Sequence, residues 1–246
     1  MSPTAVPMKK HYLPALLLLA ACALPAGAAQ FTITPVRIFM TTKDRAVAVT
    51  VTNDSDEEVV MQADLYVWKQ RPDGSDDLQL TEDLILTPPI MKLAPRARQV
   101  VRLARLSPPP GGMQQTYRLV MREVPEARTT DKLQLQVALA FSLPVFISPP
   151  GVKRDLQCDL ERAAPDLVRA VCSNGGNAYA QVRALEVLDA RGTKVAARDS
   201  GGYLLPSVRR SFDIRAADGR ILPGKVKLQV ALDDGSLQAF DATLPE

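Results

Sequence analysis

The chain is written in short runs where apolar and polar residues alternate, and each run stops at a cluster of turn formers. Alternation at period two sends successive side chains to opposite faces of a strand. No long stretch keeps the period of an amphipathic helix. The runs start at Phe31 and Ile33 and continue through Val47–Val51, Val59–Trp68, Leu84–Leu86, Arg98–Leu103, Tyr117–Val124 and Leu133–Ile147. Asn53-Asp54-Ser55-Asp56, Arg71-Pro72-Asp73-Gly74 and Thr87-Pro88-Pro89 separate them. Short strands in this number, with turn signals between them, predict a sandwich of immunoglobulin-like architecture.

Ser148-Pro149-Pro150-Gly151 interrupts the pattern as a stiff corner. The pattern then restarts in Asp155–Leu160, Leu167–Cys172, Tyr179–Leu188, Lys194–Ala197, Arg209–Ile214, Lys225–Leu232 and Leu237–Leu244. The expected fold is therefore all-β, with two immunoglobulin-like β-sandwich domains. The first covers residues 30–148, a linker covers 149–151, and the second covers 152–246. Neither domain is expected to need the other's residues to complete a core.

Residues 1–29 stand apart. Lys9-Lys10 precede an apolar run from Leu13 to Leu24, and Ala26-Gly27-Ala28-Ala29 follow. This is the pattern of a secretory signal peptide. The apolar run is shorter than the roughly 20 residues that span a bilayer, so no stable membrane insertion is expected. Leu19-Ala20-Ala21-Cys22 also resembles a lipoprotein box, which would leave a lipidated Cys22. Without Lys9, Lys10 and the only histidine, His11, the remaining 217 residues carry 28 basic and 27 acidic side chains. A chain without histidine has no Ser-His-Asp triad, no Cys-His dyad and no histidine metal ligand. The near balance of charge gives no footprint for nucleic acid. No enzyme, no metal site and no cofactor is expected. The acidic runs at Asp54–Glu58 and Asp73–Asp77 read as turns rather than calcium loops. Trp68, beside Tyr66, reads as sandwich packing.

Export implies an oxidising compartment, where Cys158 and Cys172 form an even pair in two apolar alternating stretches. A disulfide between neighbouring strands follows. The 133–147 run is longer than an ordinary core strand of five or six residues. Leu133, Leu135, Val137, Leu139, Phe141 and Leu143 share one face of it. One sandwich does not easily bury them all, so part of the row is expected to serve a partner. The alternative is a wholly internal strand.

Several segments in order resemble the periplasmic chaperones of chaperone–usher pili. They are Thr34-Pro35-Val36-Arg37-Ile38-Phe39, Val49-Thr50-Val51-Thr52-Asn53, Thr87-Pro88-Pro89 with Leu93-Ala94-Pro95, Gln99-Val100-Val101-Arg102-Leu103, Tyr117–Pro125 and the 133–147 strand. The resemblance spans the first domain; the second agrees in size and strand number. It implies two sandwiches set at an angle around a cleft, and a last strand of the first domain that is donated to an incomplete pilus subunit. By position, Leu135, Val137 and Leu139 match the donor residues, with Leu133 and Phe141 flanking them. It further implies a periplasmic, ATP-independent chaperone whose partners are pilus subunits and an outer-membrane usher. Arg37 matches the cation that holds the subunit's C-terminal carboxylate. The family's second cation lies on the donor strand, where this chain has Pro144. Either Arg37 acts alone or another arginine substitutes, Arg102 and Arg122 being the candidates. This departure points to a divergent branch, of the spore-coat or archaic kind. Two other readings are a structural pilus subunit or adhesin, and an exported immunoglobulin-like lipoprotein that acts as a binding module.

Overall fold

The computed structural model describes residues 31–71, 73–107, 111–125, 138–216 and 219–246. The leader, and with it Cys22, lies outside them, as do Leu133, Leu135 and Val137. Every described element is a strand. The first ten are β1 (Phe31–Thr34), β2 (Ile38–Thr41), β3 (Ala46–Asn53), β4 (Val59–Gln70), β5 (Asp76–Leu80), β6 (Leu84–Thr87), β7 (Ile90–Leu93), β8 (Arg98–Arg105), β9 (Gln115–Glu123) and β10 (Ala140–Ser148). One sheet runs β1-β3-β8-β6, and the other runs β2-β10-β9-β4-β5, with β7 beside the start of β4.

Period two explains which side chains meet between these sheets. Val49, Val51, Val101 and Leu103 come from one, and Met61, Leu65, Leu119, Met121, Val145 and Ile147 from the other. The chain changes sheets between β1 and β2, since β1 pairs with β3 whereas β2 runs parallel to β10. Arg37 therefore sits in the bend that makes this crossover, directly before β2.

The later strands are β11 (Leu156–Ala164), β12 (Leu167–Asn174), β13 (Ala180–Asp189), β14 (Lys194–Arg198), β15 (Gly202–Leu204), β16 (Arg209–Ala216), β17 (Gly224–Leu232) and β18 (Leu237–Leu244). They enclose a second core that includes Leu185, Val187, Phe212, Ile214, Leu228 and Val230. Cys158 and Cys172 lie directly opposite each other on β11 and β12 and are joined as a disulfide, with Cα atoms 4.1 Å apart.

The two cores share one device. Asn53 ends β3 and Asn174 ends β12, and both are fully buried. Asn53 donates through Nδ2 to the carbonyls of Glu57, Leu93 and Ala94. Asn174 donates to those of Ala178 and Leu204. Each amide thus ties the end of its strand to carbonyls of neighbouring loops and strand ends and is itself satisfied where it is buried.

The sandwiches are not independent. A third apolar cluster joins Trp68 and Phe146 of the first to Leu205 of the second, with Tyr179, Tyr203 and Val208 packed against it. Trp68 fills this junction rather than the interior of its own sandwich. The reason is its register: the inward residues of β4 are Met61, Ala63, Leu65 and Val67, so Trp68 falls on the opposite face.

Candidate functional site

The face of the six-stranded sheet that carries Trp68 and Phe146 looks towards the second sandwich, and the register gives its composition. Across the strands, Leu80, Tyr66, Arg118 and Pro144 form one row. Asp64, Val120 and Ser142 form the next, and Gln62, Arg122 and Ala140 the one after. Phe146 has Phe39 beside it on β2. The ring of Phe146 stacks on Tyr179 with centroids 4.0 Å apart, and Trp68 meets Tyr203 edge to face at 5.0 Å.

Polar side chains fix the two halves of this cleft. The Gln70 amide donates to the Tyr203 carbonyl at 3.0 Å and accepts from the Leu205 N–H at 3.0 Å. Gln114 accepts from the Tyr179 N–H at 2.9 Å, and its own N–H donates to the Asn177 carbonyl. At the tip of the β4–β5 hairpin, Gly74 has φ +81°. A Cβ there would lie 2.5 Å from the Arg210 side chain. The turn needs glycine both for its left-handed backbone and for this approach.

Arg37 reaches across the junction. Its Nη1 donates to Asp233 at 2.8 Å and to Gln181 Oε1 at 3.1 Å, while a third of the side chain stays exposed. Burial works against its charge, but Tyr203, Asp233 and Tyr179 outweigh that and raise its pKa. Tyr179 also donates to Asp233, at 3.1 Å. Burial first, and the Asp233 carboxylate second, push the Tyr179 phenol up to about 12.

Arg118 is the second cation of the junction. Its guanidinium lies 3.7 Å over the Trp68 ring and 5.6 Å from that of Tyr203, and it pairs with Asp76 at 3.5 Å. Burial lowers its pKa, and Asp76 and Tyr203 oppose that. Arg118 Nε and Trp68 Nε1 are both buried donors without a protein acceptor. Tyr203 senses both Arg37 and Arg118, so the two cations serve one region.

The other arginines singled out from sequence lie elsewhere. Arg102 is exposed on β8, in the sheet on the far side of the first core. Arg122 shares the cleft face, two rows along from Arg118, and is engaged by Tyr66 at 3.1 Å and Asp64 at 3.3 Å. Arg118 escaped sequence reasoning because Tyr117-Arg118-Leu119-Val120 reads only as a strand. The available signal was its register, since Arg118 stands directly opposite Pro144 on β10.

Of the donor row, the structure describes Leu139 and Phe141. Leu139 is half-buried and exchanges backbone contact with Glu123, whose N–H donates to its carbonyl at 2.9 Å. Phe141 packs on the first core and meets Phe31 edge to face at 6.5 Å. Phe141, Leu143, Val145 and Ile147 thus face inward, so the described end of the row is internal. The edge of the strand differs from its face. β2 covers β10 only from Val145 to Ser148, so from Ala140 to Pro144 the strand has β9 on one side and no neighbouring strand on the other among the described residues.

Residues 30–153, half of the chain, match the N-terminal domain of pili and flagellar-assembly chaperones of the PapD type. The fimbrial chaperone YbgP of Escherichia coli is 28% identical over 123 residues, which are 48% of each protein. The match thus spans about half the length of this curated relative. The CsuC–CsuE chaperone–tip adhesion subunit complex from archaic Csu pili of Acinetobacter baumannii superposes with a TM-score of 0.65 at 20% identity, covering 89% of this chain and 100% of that one. The E. coli chaperone DraB gives 0.55 at 20% identity, covering 88% and 97%. The Salmonella enterica SafA pilin–SafB chaperone complex gives 0.57 at 13% identity, covering 88% and 97%.

Proposed function

The chain belongs to the family of pili and flagellar-assembly chaperones, and from that premise we propose that it is a periplasmic, ATP-independent chaperone that holds pilus subunits by donor-strand complementation and passes them to an outer-membrane usher. The family is non-enzymatic. The domain division at residues 149–151 is part of this proposal.

The observation that carries the reading is the open edge of β10 beside a cleft with two cations. A subunit that lacks a strand exposes an apolar groove and unpaired backbone groups, which invite aggregation. A strand added from outside supplies backbone hydrogen bonds, and its alternate side chains fill the groove. Among the described residues no second strand covers the edge from Ala140 to Pro144, and the proposed donor row continues upstream of it.

The cations suit the end of the captured strand. A guanidinium offers paired donors that fit a carboxylate. Arg37 takes the role assigned by resemblance, and Arg118 supplies charge at the level where Pro144 has replaced the usual strand cation. Two complete cores weigh against the subunit or adhesin alternative, which calls for one unfinished sandwich.

The test is co-purification from periplasm with a cognate subunit. Arg37→Ala and Arg118→Met should each be soluble and melt close to wild type. Each should bind subunit about 10- to 100-fold more weakly, the value of one charge-assisted hydrogen bond or pair. Normal subunit yield from both variants would remove the carboxylate-anchor role.

A further inference from the structure

Arg37 and its partner belong to different sandwiches. Arg37 lies in the crossover between β1 and β2, whereas Asp233 follows β17 and Gln181 lies on β13. The bonds of Arg37 to Asp233 and Gln181 engage the same nitrogen, Nη1, and the Tyr203 phenol is a further hydrogen-bond partner. The Asp233 side chain is only 10% exposed and accepts from two donors, Arg37 and the Tyr179 hydroxyl. Tyr179 is itself pinned, its ring stacked on Phe146 and its N–H bonded to Gln114.

An arginine side chain is long and loses much rotamer freedom when fixed. A partner that fixes it beforehand removes that cost from the binding step. The choice of nitrogen decides between two effects. A carboxylate lying across the whole guanidinium would compete with an incoming one. Asp233 engages Nη1 alone, so this carboxylate does not span the guanidinium and leaves its other nitrogens to other partners.

We propose that Asp233, supported by Tyr179 and Gln181, is a positioning residue of the capture site: the second sandwich reaches across the junction and holds Arg37 in place for the ligand carboxylate. This rests on the reading of Arg37 as the carboxylate anchor. It assigns part of subunit capture to a residue that need not touch the subunit.

The experiment uses the whole mature chain and two synthetic peptides of one alternating valine–threonine sequence, one ending in a free carboxylate and the other in an amide. Wild type should prefer the free acid. Asp233→Ala should weaken the acid by about tenfold and leave the amide unchanged. Asp233→Asn keeps an acceptor for both donors and should retain most of the preference. Tighter binding of the acid by Asp233→Ala would make Asp233 a competitor and overturn the proposal. An equal loss for acid and amide would reduce Asp233 to a domain fastener and overturn it as well. Arg37→Ala separates the underlying reading: if the acid is still preferred there, the anchor assignment itself fails, whatever Asp233 does.

Discussion

Tyr179 and Tyr117 occupy opposite ends of the same physical problem. Burial, and then a neighbouring carboxylate, push both phenols up to about 12 from an ordinary 10.0. For Tyr117 the carboxylate is Asp83, 3.3 Å away, and for Tyr179 it is Asp233. A group whose folded value lies above its unfolded one stabilises the fold fully below the unfolded value and gives that up as pH rises through the folded value. The melting temperature should therefore hold to about pH 9 and fall between about 10 and 12. Tyr117→Phe and Tyr179→Phe, melted across that range, should each flatten part of the fall. An unchanged slope in both would exclude these phenols as its source. At this scale the motif singled out Arg37, which the structure places at the junction, and the expectation of export singled out the Cys158–Cys172 pair, which is bonded. Arg118 was not singled out, because its role depends on which residue stands across from it on another strand.

At the scale of the element, β10 combines two functions that the alternation alone could not separate. Its inward residues close the first core, and its outer edge from Ala140 to Pro144 has no neighbouring strand among the described residues. The sequence made the long apolar row visible but could not tell a packed row from a donated one, because period two reads the same in both. The stretch that decides the matter, Leu133 to Val137, lies upstream of the described strand. If that stretch is donated, Val137→Asp should leave a soluble monomer with a wild-type denaturation midpoint that no longer shields its subunit from periplasmic proteolysis. If it is core, an unpaired buried carboxylate costs several kcal/mol, comparable to the stability of a domain, and the midpoint collapses. Other strands escaped notice for local reasons. β5 follows so closely on the Gly74 turn that its acidic start reads as loop, since Asp73 accepts from the Ser75 N–H and hydroxyl and closes the turn. β7 begins right after Pro88-Pro89, where turn chemistry masks a four-residue strand.

Across the whole molecule, the expectation of two self-sufficient sandwiches holds for each main core but misses the third cluster between them. Its members are scattered over the chain as Trp68, Phe146, Tyr179, Tyr203 and Leu205, and nothing in their local patterns links them. Each lies on the strand face or loop that a single sandwich leaves over, so only the assembled pair shows that they belong together. Gln70 and Gln114 then set the relation of the halves by bonding to backbone rather than to side chains. Substitutions on the far surface should leave that relation intact.

The indole at this junction is the only one in the chain. It is 1% exposed and lies under the Arg118 guanidinium. Its ultraviolet emission is therefore a private signal of the seam, silent about either sandwich alone. Parting of the halves would hydrate the ring and shift the emission to longer wavelength while the far-ultraviolet circular dichroism of the strands stays unchanged. In a denaturant titration of Gln70→Ala, the red shift should precede the loss of dichroism, whereas in wild type the two should coincide. Coincidence in the variant as well would mean that Gln70 is not what keeps the seam closed.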